Sequence, residues 1–296
     1  MEYQELPNAK VEDADILILP FAYEKTVSSR GGTKNAPRSI LEITEQIEYY
    51  EEDLEWSPMK HMNISVAPQI EKYKEVQKAI EDLKLTPNKL FITLGGEHSI
   101  TPMITKEMLP KGSTVVFLDA HADLRTSYLG EKYSHATPAH HLLAQGHKLV
   151  MAGIRSIYES EALRIKKDEN IICFTDKALR KAEVREEFLQ TLRDLEGDVY
   201  LSIDMDGFDP AYVPSVGTPQ PGGLSWYDAM DILEALFFNE KVVIQGVDMV
   251  ELIPEASEVS QTFTAKLLQK IISHWGKRMG YDKREMSGSQ MQVEYE

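Results

Sequence analysis

Eight short, almost continuously apolar runs recur along the chain, at residues 15–19, 63–66, 90–94, 114–118, 149–152, 171–174, 199–203 and 242–250. A strand with one wet face alternates apolar and polar residues, whereas a strand covered on both faces does not. Such runs therefore predict parallel strands inside a sandwich of helices. Most close on Gly, Asp, Glu or Pro, the residues that end strands and begin turns. Helix-period segments separate them, at 37–48, 73–85, 138–145, 158–167, 182–194, 226–239 and 258–275. In the second of these, Val76, Ala79, Ile80 and Leu83 recur at three- and four-residue steps among charged positions. The order predicts a three-layer α/β/α fold with a mostly parallel sheet of about eight strands. No repeat or linker divides it, so one domain is expected over residues 1–280. The polar segment 281–296 has little periodicity and is expected as a C-terminal tail.

Acidic residues number 48 against 32 basic, a net charge of −16. That balance argues against a nucleic-acid partner, which needs a basic face, and suits a cationic small molecule. Cys173 is the one cysteine, so no intramolecular disulfide forms and a reducing, cytoplasmic location is expected. No apolar run approaches the roughly 20 residues that span a bilayer, and no membrane role is expected. The first five residues lack the basic and apolar regions of a signal peptide.

Three strand ends carry chemistry. Residues 114–118 run into Asp119-Ala120-His121-Ala122-Asp123. If extended geometry persists, the two acids and the imidazole share one face. Residues 199–203 run into Asp204-Met205-Asp206, again two acids two apart, while Asp209 before Pro210 is expected to cap a turn. The third run ends in Gly95-Gly96-Glu97-His98-Ser99, where the glycines permit a tight turn and a helix begins near Ser99. Carboxylates and imidazoles crowded at strand C-termini repel or desolvate one another unless cations hold them. His98, Asp119, His121, Asp123, Asp204 and Asp206 supply four carboxylates and two imidazoles, with no thiolate. That set disfavours structural zinc and suits Mn²⁺, or Fe²⁺, Co²⁺ or Ni²⁺. Four carboxylates neutralise two divalent cations, and a metal pair of that kind makes hydroxide available near neutral pH.

Together these three stretches resemble the ureohydrolase family of arginases and agmatinases. Ser28-Ser29-Arg30-Gly31-Gly32, Ser134-His135-Ala136-Thr137-Pro138, Gly217-Thr218-Pro219 and Val247-Asp248-Met249-Val250-Glu251 extend the likeness over nearly the whole chain. The resemblance implies an arginase-like fold and a two-manganese site that hydrolyses a guanidinium to urea and an amine. By motif position, His98, Asp119, Asp123 and Asp204 would hold one Mn²⁺. His121, Asp119, Asp204 and Asp206 would hold the other. The resemblance also makes His135 the proton-shuttling histidine and Glu251 the carboxylate that meets the substrate guanidinium. It carries an expectation of a homo-oligomer, trimer or hexamer.

The substrate reading rests on the segment after Asp123. It lacks the Ser-Gly-Asn-Leu-His-Gly stretch with which arginases hold a substrate carboxylate, and it carries an acid, Glu131. Agmatine, whose distal amine suits an acidic mouth, is therefore expected, giving putrescine and urea, a step of polyamine biosynthesis. Aminopropylagmatine is a near variant, and arginine or another guanidino acid is the competing substrate. A metal-binding regulatory relative without activity is the non-enzymatic alternative, and the one-zinc deacetylase fold ranks last. Two departures stand out: Glu97 where the family mostly has Asp, and His140-His141 after Thr137-Pro138.

Overall fold

The computed structural model describes residues 1–86 and 88–293. Its eight strands are β1 (Ile16–Phe21), β2 (Ile64–Val66), β3 (Leu90–Gly95), β4 (Thr114–Leu118), β5 (Lys148–Ile154), β6 (Ile171–Thr175), β7 (Gly197–Asp204) and β8 (Val242–Val250). They form one parallel sheet in the order β2-β1-β3-β8-β7-β4-β5-β6. The helices are α1 (Ala36–Ile43), α2 (Val76–Leu83), α3 (Thr101–Met108), α4 (Pro138–Ala144), α5 (Glu159–Ile165), α6 (Asp176–Leu179), α7 (Ala182–Arg193), α8 (Trp226–Phe237) and α9 (Val259–Arg278).

Alternate residues of the inner strands enter two separate cores. Ile16, Ile18, Val116 and Leu118 pack with Ile40 of α1, Leu233 of α8 and Leu268 of α9. Leu17, Leu19, Val115 and Phe117 pack with Ile80 of α2, Ile104 of α3 and Leu142 of α4. The inner strands are therefore apolar on both faces, and the predicted three layers follow. The predicted strand runs all fall on strands. The helical segment 37–48 is shorter than expected because α1 passes into a 3-10 turn at Thr44–Gln46. Likewise 73–85 begins as a 3-10 turn at Tyr73–Glu75 and stops where Lys84 takes a left-handed conformation. The four-residue α6 has no apolar period and escapes sequence reasoning.

Residues 281–293, expected as tail, lie against the body. Tyr281 is buried and its hydroxyl donates to Asp15 Oδ1 at 2.6 Å, and Ser289 Oγ accepts from Ile64 N at 3.1 Å. Residues 294–296 of that expected tail lie outside the described residues. Among the described residues no helix is long and apolar enough to cross a membrane.

The central strands β3, β8, β7 and β4 are adjacent, so their C-terminal ends meet at one edge. Open α/β sheets place their ligand sites there.

Candidate metal centre

Each strand end delivers its side chains by a turn of its own. β4 stops at Leu118, so the expected extended run through Asp123 is not what brings these residues together. Instead Asp119 Oδ1 accepts the His121 amide at 2.6 Å and folds the chain back, and Asp123 turns through a left-handed conformation (φ 49°). Asp204 is the last residue of β7, and a 3-10 turn follows at Met205–Gly207. Its Oδ1 accepts the Asp206 amide at 2.8 Å, while Asp206 Oδ1 takes the Ala120 amide at 3.2 Å and ties the two loops. Asp209 Oδ1 accepts from Ala211 N at 2.9 Å, the predicted turn cap. After β3, a Cβ on Gly96 would lie 2.0 Å from the Tyr23 carbonyl oxygen, so only glycine allows this close approach. Glu97 then accepts the amides of Lys25 and Thr26, both at 2.6 Å, and His98 is turned inward.

The six residues converge on the sheet edge. His98 Nδ1 lies 3.0 Å from Asp204 Oδ2, 3.2 Å from Asp119 Oδ2 and 3.7 Å from Asp123 Oδ2. His121 Nδ1 lies 3.0 Å from Asp206 Oδ2 and 3.6 Å from Asp119 Oδ1. Two compact donor sets result, His98–Asp119–Asp204 and Asp119–His121–Asp206, each within 4.8 Å. Asp119 belongs to both. Asp204 joins the first set only, and Asp123 stands just outside it.

Burial works against charge on both imidazoles, yet their carboxylate neighbours prevail. His98 is pushed well up by Asp119 and Asp204, and His121 up to about 12 by Asp119 and Asp206. Burial, then the charge of Asp119, drives Asp123 well above the carboxylate range, and burial with Asp206 and Asp119 does the same to Asp204. Burial would raise Asp119 too, but His121 and His98 hold it down at about 2. Without cations the cluster thus balances its charge with protons. Asp119 Oδ2 is buried and, although His98 Nδ1 lies 3.2 Å away, no donor is aligned to bond it. An oxygen-rich donor set with two imidazoles and a carboxylate oxygen that lacks an aligned donor fits divalent cations, which would take over the role of those protons.

A cavity of about 250 Å³ opens over His121, Asp123, Asp204 and Asp206. Glu251 and His135 both line it. Glu251 follows β8 in a left-handed conformation (φ 64°), and its Oε1 accepts the His98 amide at 2.7 Å. Burial raises its carboxyl to about 8 despite that amide, with Glu97 adding repulsion. Left-handed backbone at Asp123 and Glu251, which both line the cavity, is the kind of strain that folds keep at working sites. His135 Nδ1 lies 2.7 Å from the Thr26 carbonyl, which makes Nδ1 the donor and Nε2 the ring's acceptor. Burial lowers its pKa, opposed by that carbonyl.

Sequence reasoning missed the mouth. The Arg125 guanidinium sits 5.0 Å from the Tyr128 ring centre and 5.3 Å from that of Tyr158, and all three line the cavity. Glu131, the acid expected to colour the mouth, is bound to Lys25 at 2.8 Å. His140 Nδ1 accepts from Arg164 Nη1 at 2.8 Å, and the ring of His141 stacks on Tyr133; neither lines the cavity. Tyr158 lies far along the chain from Asp123, and nothing local in the sequence marks it.

The fold and this acid-and-imidazole centre define a class of metal-dependent hydrolase, and comparison with known proteins gives its family. Residues 14–275 match the family model described as the arginase family. An N(1)-aminopropylagmatine ureohydrolase of Synechocystis is 33% identical over 279 residues, covering 89% of this chain and 90% of that protein. An agmatinase of Pyrococcus horikoshii is also 33% identical, over 90% of this chain and 94% of its own length. The crystal structure of agmatine ureohydrolase from Thermoplasma volcanium superposes with a TM-score of 0.78 at 30% identity, over 91% of this chain and 92% of that one. The chain belongs to the arginase family and is a ureohydrolase-type enzyme.

Proposed function

We propose that the chain hydrolyses agmatine to putrescine and urea, with aminopropylagmatine as the near variant, using two Mn²⁺ per subunit. The observation that carries this reading is Asp119, buried between both imidazoles and belonging to both donor sets. His98, Asp119, Asp123 and Asp204 would hold one cation, and His121, Asp119, Asp204 and Asp206 the other. What the cations supply when bound is a nucleophile from water near neutral pH.

The chain's own groups do the rest. A guanidinium brought against Glu251 draws that carboxyl to its ionised form, so that it accepts N–H bonds in forked geometry. His135 is neutral at rest because burial lowers its pKa. Its Nε2 takes up a proton and returns it to the departing amine nitrogen, which leaves only when protonated. Enclosure of the reacting groups in a cavity of about 250 Å³ orients both partners and strengthens each charge interaction. One catalytic domain over residues 1–280, a cytoplasmic trimer or hexamer and a place in polyamine biosynthesis complete the reading.

Arg125 favours a second reading. Among the described residues no carboxylate pairs with this guanidinium, and a guanidino acid would bring one to it. Urea release from agmatine, aminopropylagmatine and arginine, assayed side by side with Mn²⁺, separates the two. Faster turnover of an amine-tailed substrate is expected; preference for arginine overturns the choice. In the latter case Arg125→Gln should raise KM for arginine and leave agmatine unaffected.

A further inference from the structure

Directly beneath the metal centre a row of residues crosses the sheet in register: Thr93 on β3 pairs with Asp248 on β8, Asp248 with Ser202 on β7, and Ser202 with Phe117 on β4. Asp248 is wholly buried in a central strand, with apolar Val247 and Met249 on either side. The fold itself has no use for a carboxylate there, since burying one costs several kcal/mol unless its partners compensate. Burial accordingly raises its pKa.

What the carboxylate does have is a directed chain of partners. Ser202 Oγ donates to Asp248 Oδ1 at 2.7 Å. The same oxygen lies 2.9 Å from His98 Nε2. A serine hydroxyl has one proton, and it is committed to Asp248, so the oxygen accepts at its other side and Nε2 carries the hydrogen. Nδ1, facing Asp119 and Asp204, is then the nitrogen that offers its lone pair once a cation takes the place of the proton it shares with those carboxylates. Phe117 fixes the ring plane, stacked at 4.6 Å with 9° between the rings. The hydroxyls of Tyr200 and Thr101 lie beside the same carboxylate. Room for the Tyr200 ring comes from Gly246, its register partner on β8, where a Cβ would lie 2.9 Å from the ring.

We propose that Asp248 and Ser202 are positioning residues, a buried carboxylate–hydroxyl–imidazole relay that fixes the tautomer and direction of His98 and strengthens it as a metal ligand. Neither residue lines the cavity, so neither touches the substrate. The proposal rests on the metal reading above and adds to it two residues that no ligand set contains. Relays of this type act through the ligand they orient, and breaking one commonly weakens metal binding about 10–100-fold.

The test is Mn²⁺ titration, by calorimetry and by the electron paramagnetic resonance signal of free Mn²⁺, of the wild type, Ser202→Ala, Asp248→Asn and the double variant, with melting temperatures in EDTA alongside. Expected is a loss of about 10–100-fold confined to one of the two Mn²⁺ equivalents, because His121 has no part in the relay. Each single variant should show it, and the double variant should be no weaker than either, since a chain is broken at any one link. Wild-type binding in Ser202→Ala overturns the relay, as does equal weakening of both equivalents in step with a fallen melting temperature, or additive losses in the double variant. A wild-type protein that binds no Mn²⁺ overturns the metal reading itself, a different result from wild-type binding that the variants share.

Discussion

Asp123→Asn should change stability in opposite directions with and without metal. The carboxylate is buried, lies 3.7 Å from His98 Nδ1, and sits on a left-handed backbone (φ 49°) that asparagine adopts as readily. The amide has the same shape, so packing is kept. Burial and the charge of Asp119 raise the Asp123 pKa in the metal-free fold. An acid whose folded pKa exceeds its unfolded value, ~3.9, binds its proton more tightly when folded. Stability is then lost progressively as pH rises above about 4 toward the folded pKa. Asparagine has no proton to release. In EDTA the variant should match the wild type near pH 4 and exceed it at pH 7. Removal of the buried carboxylate charge contributes about 1–3 kcal/mol, a few degrees at roughly 2 °C per kcal/mol for a chain of this size. With Mn²⁺ at about 100 times its Kd, each bound cation adds about 2.7 kcal/mol, and the variant should forfeit that increment for the cation proposed to bind at Asp123. Melting curves at pH 4.5, 6 and 7.5, in EDTA and in Mn²⁺, should therefore cross in rank. A variant less stable than wild type in EDTA at neutral pH, or one with the full Mn²⁺ increment, would refute the reasoning.

His135→Asn should bind both Mn²⁺ equivalents as the wild type does while urea release falls about 10²–10⁴-fold; loss of metal in calorimetry would remove His135 from its proton-transfer role. Gly96→Ala places a Cβ 2.0 Å from the Tyr23 carbonyl oxygen, a backbone atom that has little room to yield, and should cost both melting temperature and Mn²⁺ binding. Lys270→Met should destabilise the fold by about 3–5 kcal/mol, read from the urea midpoint. The lysine is wholly buried against the equally buried Glu51, which is left uncompensated, and Glu51→Gln added to Lys270→Met should recover most of the loss.

The sheet was legible because a strand covered on both faces writes itself as a mostly apolar run, and 114–118 and 242–250 coincide with β4 and β8 to the residue. The identity of the cluster was legible for a different reason. Acids and imidazoles directly after such runs have nowhere to go but the C-terminal edge of the sheet. Two-residue spacing is a weaker guide: Asp123 and Asp206 reach the centre through a left-handed residue and a 3-10 turn, not along an extended strand. Local spacing states that side chains meet, while the turn chemistry that makes them meet is written in backbone amides that no pattern displays.

What escaped the sequence depends on contacts between distant residues. Lys25 reaches Glu131 and removes it from the mouth, Tyr158 comes from the loop before α5 to hold Arg125, and Thr26 aims His135. Asp248 is the instructive case, since it lies within an apolar run and reads as an isolated polar interruption of a strand. Only the register of β8 against β7 puts Ser202 beside it, and only the inward turn after Gly96 lowers His98 onto Ser202. A carboxylate that would weaken a sheet anywhere else is kept where three strands and one turn bring it a hydroxyl and an imidazole. The same logic covers the left-handed Asp123 and Glu251: each local cost falls on a residue facing the cavity, and the two apolar cores on either side of the sheet offset it.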